Sequence, residues 1–206
     1  MAGRPRIGAV LIDLDGVIRH WPRPYDAPVR PGQRRVEDEV FTVAFAPELL
    51  QQAITGRITH HDWLAETVRQ LSRDWPADHA RDAVDDWADA LPTINPTVRD
   101  LVAGWRRAVP VVLITNATDR LDRDLAIVGL DDAFDDVINS FAIGHAKPDP
   151  AIFAAAVGRA GVPADRTLFI DDSPGNVAAA MESGLIGYRF DGDTDRLRTF
   201  VARHLS

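Results

Sequence analysis

The stretch "IGAVLIDLDGV", residues 7–17, decides how the fold is read. Its first six residues are apolar without a break, which suits a strand covered on both faces better than one with a wet side. The run ends at two aspartates one residue apart, followed by a glycine. Four more short apolar runs follow: "VPVVLIT" (109–115), "VINSF" (137–141), "TLFID" (167–171) and "IGYRF" (186–190). Helical segments fill the gaps between them. "NPTVRDLVAGWRRA" opens with Asn95 as N-cap and Pro96 at the first helical position, and "DPAIFAAAVGRAG" and "PGNVAAAMESG" both run proline first and glycine last. Strand and helix in alternation predict an α/β fold with a doubly wound, parallel-sheet, Rossmann-like core.

Between the first and second strands lie nearly a hundred residues, where a single crossover needs about a dozen. An inserted domain is therefore expected. "EDEVFTVAFAPELLQQAITG", "THHDWLAETVRQLSR" and "ADHARDAVDDWADAL" read as helical, with Trp63, Leu64, Val68 and Leu71 at the spacing of one helix face. The proline-laden "HWPRPYDAPVRPG" (20–32) reads as a linker or loop into this insert. The predicted division is a core of residues 1–18 and 93–206 and a helical cap of residues 19–92.

Composition excludes several classes of partner. The chain has 206 residues, 46% hydrophobic, with a formal net charge of −8. Its arginines are scattered, so no basic cluster offsets the phosphates of a nucleic acid or an anionic membrane. Without cysteine, neither disulfides nor thiolate metal sites are available. No run approaches the roughly 20 apolar residues of a membrane span or resembles a signal peptide. The expectation is a soluble, cytoplasmic protein, with monomer or homodimer left open.

In open parallel sheets ligands bind beyond the carboxyl ends of the strands. Asp13 and Asp15 follow the first run, Thr115 and Asn116 end the second, Lys147 follows the third by a short loop, and Asp171 with Asp172 closes the fourth. Four carboxylates and one ammonium sum to −3, and such charges within a few ångströms repel by several kcal/mol at an effective dielectric of about 20. Either some carboxyls are protonated, or a divalent cation completes the set. Oxygen ligands without histidine or cysteine suit Mg²⁺. Lys147 is the single lysine in a chain that otherwise uses 22 arginines. A compact ammonium fits between a carboxylate and a phosphate oxygen where a planar guanidinium would crowd.

The motifs "DLDGV" (13–17), "LITNAT" (113–118), "AKPDP" (146–150) and "FIDDSPGN" (169–176) together resemble the haloacid dehalogenase superfamily of hydrolases, and the insert resembles its helical cap placed between the first two motifs. The resemblance implies a Mg²⁺-dependent phosphatase acting on a small phosphate monoester, a sugar phosphate among the candidates. It implies Asp13 as nucleophile forming an aspartyl-phosphate, and Asp15 as general acid and then base, its main-chain carbonyl touching the metal. Gly16 would permit a tight turn near the ligand. Thr115 and Asn116 would donate to phosphate oxygens, Lys147 would neutralise charge, and Asp172 with Asp171 would hold the cation. Asp15 argues against halide removal, which needs no proton donor. The cap stretch "GRITHHDWL" and the "DDSPGN" run look closest to small sugar-phosphate phosphatases and the phosphatase-like domain of epoxide hydrolases. A phosphomutase of the same superfamily and a non-catalytic phospholigand-binding module are the alternatives.

Other residues carry structural readings. Thr59 and Asp62 form a capping-box pattern around His60 and His61, which outweighs a metal site there. His145 is expected at the solvent. Trp21 and Arg23 stand where they could reach a substrate from the cap hinge, although packing serves Trp21 equally well. The tryptophans at 63, 75, 87 and 105 read as core or interface.

Overall fold

The apolar run at the head of the chain becomes the middle strand of a sheet. In the computed structural model, which describes residues 6–22 and 34–205, β1 (Ala9–Ile12) and β2 (Arg19–His20) lead into four helices, α1 (Val36–Ala44), α2 (Pro47–Ile54), α3 (His60–Leu71) and α4 (Ala77–Ala88). The chain continues through β3 (Thr93–Ile94), α5 (Pro96–Trp105), β4 (Val111–Thr115), α6 (Leu121–Ile127), β5 (Asp136–Asn139) and α7 (Ser140–Ile143). It closes with α8 (Pro150–Ala160), β6 (Thr167–Asp171), α9 (Pro174–Glu182), β7 (Ile186–Arg189) and α10 (Thr194–Leu205).

Five parallel strands form one sheet in the order β5-β4-β1-β6-β7. The chain winds outward from β1 to β5, then returns to the other side of β1, so the strand order reverses between β1 and β6. That reversal opens a crevice at the carboxyl ends, as doubly wound sheets do. Both faces of the sheet are covered, which accounts for the unbroken apolar runs. Val10, Ile12, Leu113 and Ile170 pack toward α5, α6 and α10, whereas Leu11, Ile114 and Phe169 pack toward α8 and α9.

Local chemistry sets the helix ends. The Asn95 side chain accepts from the backbone N–H of Thr97 and Val98 with Pro96 next, and α8 stops at Gly161, whose φ of 66° suits only glycine well. Thr59 and Asp62 make the reciprocal capping box at α3. Two boundaries differ from the sequence reading. The run "VINSF" does not stay extended to Phe141: the Asn139 side chain accepts from the Phe141 N–H at 3.0 Å, and Ser140 and Phe141 begin α7. The stretch 37–56 divides at Phe45 and Ala46, with Pro47 at the start of α2.

The four helices between β2 and β3 bury apolar clusters of their own, one around Val40, Leu71 and Val84 and one around Leu49, Ala53 and Trp63. They join the main sheet through the antiparallel pair β2–β3, in which Arg19 faces Ile94 and His20 faces Thr93. Residues 23–32 of the expected linker, Arg23 among them, lie outside the described residues. No helix among the described residues is long and apolar enough to cross a membrane.

Candidate active site

Asp13 stands one residue past β1, its N–H donating to the Ile170 carbonyl at 2.9 Å, so it is held beside the end of β6. Its carboxylate is buried and meets the Lys147 ammonium: Nζ lies 2.6 Å from Asp13 Oδ1 and 2.8 Å from Asp171 Oδ2, and donates to the Ile114 carbonyl at 3.1 Å. Three strand ends thus share one cation. The loop that delivers it is fixed by Asn116, whose amide nitrogen donates to the Lys147 carbonyl at 2.9 Å while its oxygen accepts from the Lys147 N–H at 2.8 Å. Asp149 then caps α8 through Ala151, and His145 turns outward to Asp149 at 2.7 Å, at the solvent as expected.

Asp171 is fully buried. Besides Lys147, it accepts from the Ser173 N–H at 2.8 Å and from the Asn176 amide at 3.1 Å on both oxygens. Asp172 is exposed, and its carboxylate lies over Gly16: a Cβ on Gly16 would fall 2.2 Å from Asp172 Oδ2. Gly16 also has φ of +82°, so glycine is required twice over, for the turn and for the approach.

Asp13, Asp171 and Asp172 each present an oxygen within 4.8 Å of the others. The carboxylate of Asp15 is outside that group. It turns to Arg19, which grips it with Nε at 2.7 Å and Nη2 at 2.9 Å, and it accepts from the Trp21 indole at 2.9 Å. As a metal ligand Asp15 would have only its main-chain carbonyl to give. Thr115, 1% exposed, ends β4 in the same crevice. One of the two N–H bonds of the Asn116 amide, expected to face a ligand, is instead committed to the Lys147 loop.

Charge is unbalanced. Burial, the strongest influence, pushes the Asp13 carboxyl up to about 7 with Asp171 adding to it, while Lys147 pulls the other way. Asp172, exposed as a residue but with its carboxylate partly enclosed, is also raised, first by that enclosure and then by Asp171. Burial alone would lower the Lys147 ammonium, but Asp13 and Asp171 hold it above its ordinary value. Three carboxylates against one ammonium leave room for another positive charge. Oxygen donors only, two of them free of bidentate partners, fit a hard divalent ion of the Mg²⁺ kind.

A cavity of about 400 Å³ opens beside this cluster, between the strand ends and helices α1 to α4. Asp15, Arg19 and Asn116 form its floor, and Phe45, Trp63 and Trp87 its far wall. His60 joins the two sides, its N–H donating to Asp119 at 2.6 Å and its Nδ1 lying 3.1 Å from the Thr118 hydroxyl. The sequence reading did not single out Arg19, and it gave His60 no place at the site. Of the tryptophans read as core or interface, Trp105 is in the core, Trp75 packs against the cluster around Val40, Leu71 and Val84 with its indole donating to Glu39 at 3.1 Å, and Trp63 and Trp87 border the cavity.

A family model described as haloacid dehalogenase-like hydrolase matches residues 7–184. A phosphoglycolate phosphatase of Pseudomonas fluorescens is 30% identical over 146 residues, 68% of this chain and 50% of the relative, so the chain spans about half the length of that relative. Among solved structures, a HAD family enzyme from Bacteroides thetaiotaomicron is 25% identical with a TM-score of 0.72, over 95% of this chain and 98% of that one. A mutant of the same enzyme, solved with magnesium and inorganic phosphate, is 25% identical with a TM-score of 0.70, over 94% and 99% of the two chains.

Proposed function

The chain belongs to the haloacid dehalogenase-like hydrolase family, and on that premise we propose that it is a Mg²⁺-dependent phosphatase that cleaves a small phosphate monoester through an aspartyl-phosphate on Asp13. One observation carries the reading: Asp13 and Lys147, both buried, meet at 2.6 Å at the strand ends, with two more carboxylates beside them. An oxygen nucleophile, a fixed ammonium and a seat for a cation are what transfer of a dianionic phosphoryl group calls for.

Asp13 attacks phosphorus, an Asp13 oxygen–phosphorus bond forms, and the ester oxygen leaves with its electron pair. Asp15 gives that oxygen a proton. Water then attacks the phosphoenzyme, Asp15 takes the proton back, and inorganic phosphate and free Asp13 result. Lys147 holds Asp13 in line and offsets charge on the transferring group. Asp13, Asp171 and Asp172 would hold the Mg²⁺. When bound, the ion supplies neutralising charge for the phosphoryl oxygens, so that two anions can approach. Arg19 and Trp21 fix the Asp15 carboxylate at the border of the cavity, Oδ1 accepting from Arg19 Nε and the Trp21 indole and Oδ2 from Arg19 Nη2.

The relatives support this reading: one is named a phosphoglycolate phosphatase, and one structure holds magnesium and inorganic phosphate. The test is hydrolysis of p-nitrophenyl phosphate by the purified protein. Phosphate release is expected with Mg²⁺, to be lost on chelation and in Asp13→Asn. Full activity in Asp13→Asn overturns the mechanism, and an isomerised ester in place of inorganic phosphate, read by phosphorus NMR, reassigns the chain as a mutase.

A further inference from the structure

The leaving group of such a reaction departs into the cavity beside Asp15, and the walls of that cavity are of one kind. Resting on the phosphatase reading, we propose that the substrate is a phosphate monoester of an aromatic alcohol, whose ring system stacks within the aromatic wall of the cap and which carries no second anionic group.

The wall is built for flat apolar surface. Phe45, Trp63 and Trp87 meet edge to face in all three pairings, with ring centroids 5.8, 6.0 and 5.4 Å apart. Phe41 stacks on Phe45 at 4.1 Å. Trp63 is locked by its indole N–H, which donates to the Ala44 carbonyl at 2.8 Å and ties α3 to the end of α1. A preorganised wall of this kind binds an aromatic ring through area and edge-face contact at little ordering cost.

The wall is also incompletely covered. Among the described residues six large apolar side chains are exposed, and Trp21, Phe41 and Phe45 of that set all border this cavity, at 40%, 48% and 37% exposure. Apolar surface of that extent beside a proton donor is the mark of a ligand site rather than of packing.

Charge argues against a second anion. Among the described residues, the arginines that border the cavity are already paired, Arg19 with Asp15 and Arg120 with Asp124, whose Oδ1 lies 2.9 Å from Arg120 Nε. Asp86 adds another negative charge to the border. His60 contributes no positive charge near neutrality, because burial, and after it Arg120, push its imidazole down to about 4. A carboxylate such as that of phosphoglycolate would lose its water here without gaining a cation from the described residues. Arg19 Nη1 and His60 Nε2 lack hydrogen-bond partners among the described residues, but both atoms are buried rather than open to the cavity, and Arg19 Nη1 lies 3.9 Å from Asp124 Oδ2.

The test compares 2-(1-naphthyl)ethyl phosphate with phosphoglycolate and glucose 6-phosphate, in Mg²⁺, by steady-state release of phosphate. All three are esters of primary alcohols, so preference is not borrowed from an activated leaving group. The naphthyl ester is expected to show kcat/KM higher by about tenfold or more, through a lower KM, as burial of an aromatic ring predicts. Phe45→Ser and Phe41→Ser, both at partly exposed positions, are each expected to erase most of that advantage by raising KM rather than lowering kcat. The proposal is overturned if p-nitrophenyl phosphate is hydrolysed but the naphthyl ester is no better than the other two, or if its advantage survives both substitutions. If p-nitrophenyl phosphate itself is not hydrolysed, the phosphatase reading fails and this proposal goes with it.

Discussion

Replacing Lys147 by methionine keeps a flexible apolar chain of similar length and removes the ammonium, with its donated hydrogen bonds and its place 5.6 Å from the Phe169 ring centroid. In the native protein the ammonium sits 2.6 Å from one carboxylate oxygen and 2.8 Å from another. At an effective dielectric of about 20, each contact is worth roughly 6 kcal/mol before desolvation is counted. Burial of the ammonium cancels much of that, and removing one partner from a buried ion pair typically costs about 3–5 kcal/mol net. The loss has a pH signature. Asp13 is already raised to about 7, above its unfolded value, so the folded protein binds more protons than the unfolded chain between about pH 4 and 7. Its contribution therefore weakens as pH rises through that window. Without Lys147 the carboxyl rises further and the penalty extends upward in pH. Urea unfolding in metal-free buffer should show Lys147→Met less stable by about 3–5 kcal/mol at pH 8, with a clearly smaller deficit at pH 5.5, where Asp13 takes up a proton. A deficit below about 1 kcal/mol at pH 8, in the range of a surface pair, or one unchanged between the two pH values, would refute the reasoning.

Two further outcomes follow from the same geometry. Gly16→Ala forces a Cβ into the space of Asp172 at a φ of +82°, so stability should fall by about 1–3 kcal/mol and Mg²⁺ affinity by about tenfold or more, read by thermal melts and by titration calorimetry. An alanine variant that binds Mg²⁺ like the parent refutes the assignment of Asp172. Arg19→Met frees the Asp15 carboxylate from its two-pronged grip. Hydrolysis of an alkyl phosphate, which needs the proton, should then slow by about 10- to 100-fold relative to p-nitrophenyl phosphate, which needs it less. Equal slowing of both esters would mean that Arg19 does not act through Asp15.

The readable part of the molecule was the part fixed by short-range chemistry or by strand order. Asn95, Pro96 and Gly161 end their helices because side chain and backbone conformation act within a turn. Asp13, Thr115 and Asp171 stand at neighbouring strand ends because parallel strands put all their carboxyl ends on one edge, so separation in sequence is irrelevant, and Lys147 reaches that edge from the loop after α7. Phe141 misled because it is apolar next to a strand, while the cap formed by Asn139 turns the chain into α7. The pair of hydrogen bonds between the Asn116 side chain and the Lys147 backbone spans 31 residues and depends on loop shape, which spacing does not encode. The aromatic wall was hidden for a different reason. Phe41, Trp63 and Trp87 look like core residues of their own helices and Phe45 like a core residue at the end of α1, and only the packing of those helices over the strand ends leaves one side of them unfilled.

The turn from Leu14 to Arg19 is closed by its own backbone: the Arg19 N–H donates to the Leu14 carbonyl at 2.8 Å and the Gly16 N–H to the Arg19 carbonyl at 2.8 Å. The same residue pairs across to Ile94, and the Asn95 N–H reaches back to the Ile18 carbonyl at 2.8 Å. The ribbon that carries helices α1 to α4 is thus also the brace of Asp15, which constrains anyone wishing to graft a foreign helical insert onto this scaffold. A chimera joined after Trp21 and before Thr93 retains the brace, whereas one joined at residue 18 discards Arg19 and leaves the Asp15 carboxylate without its anchor.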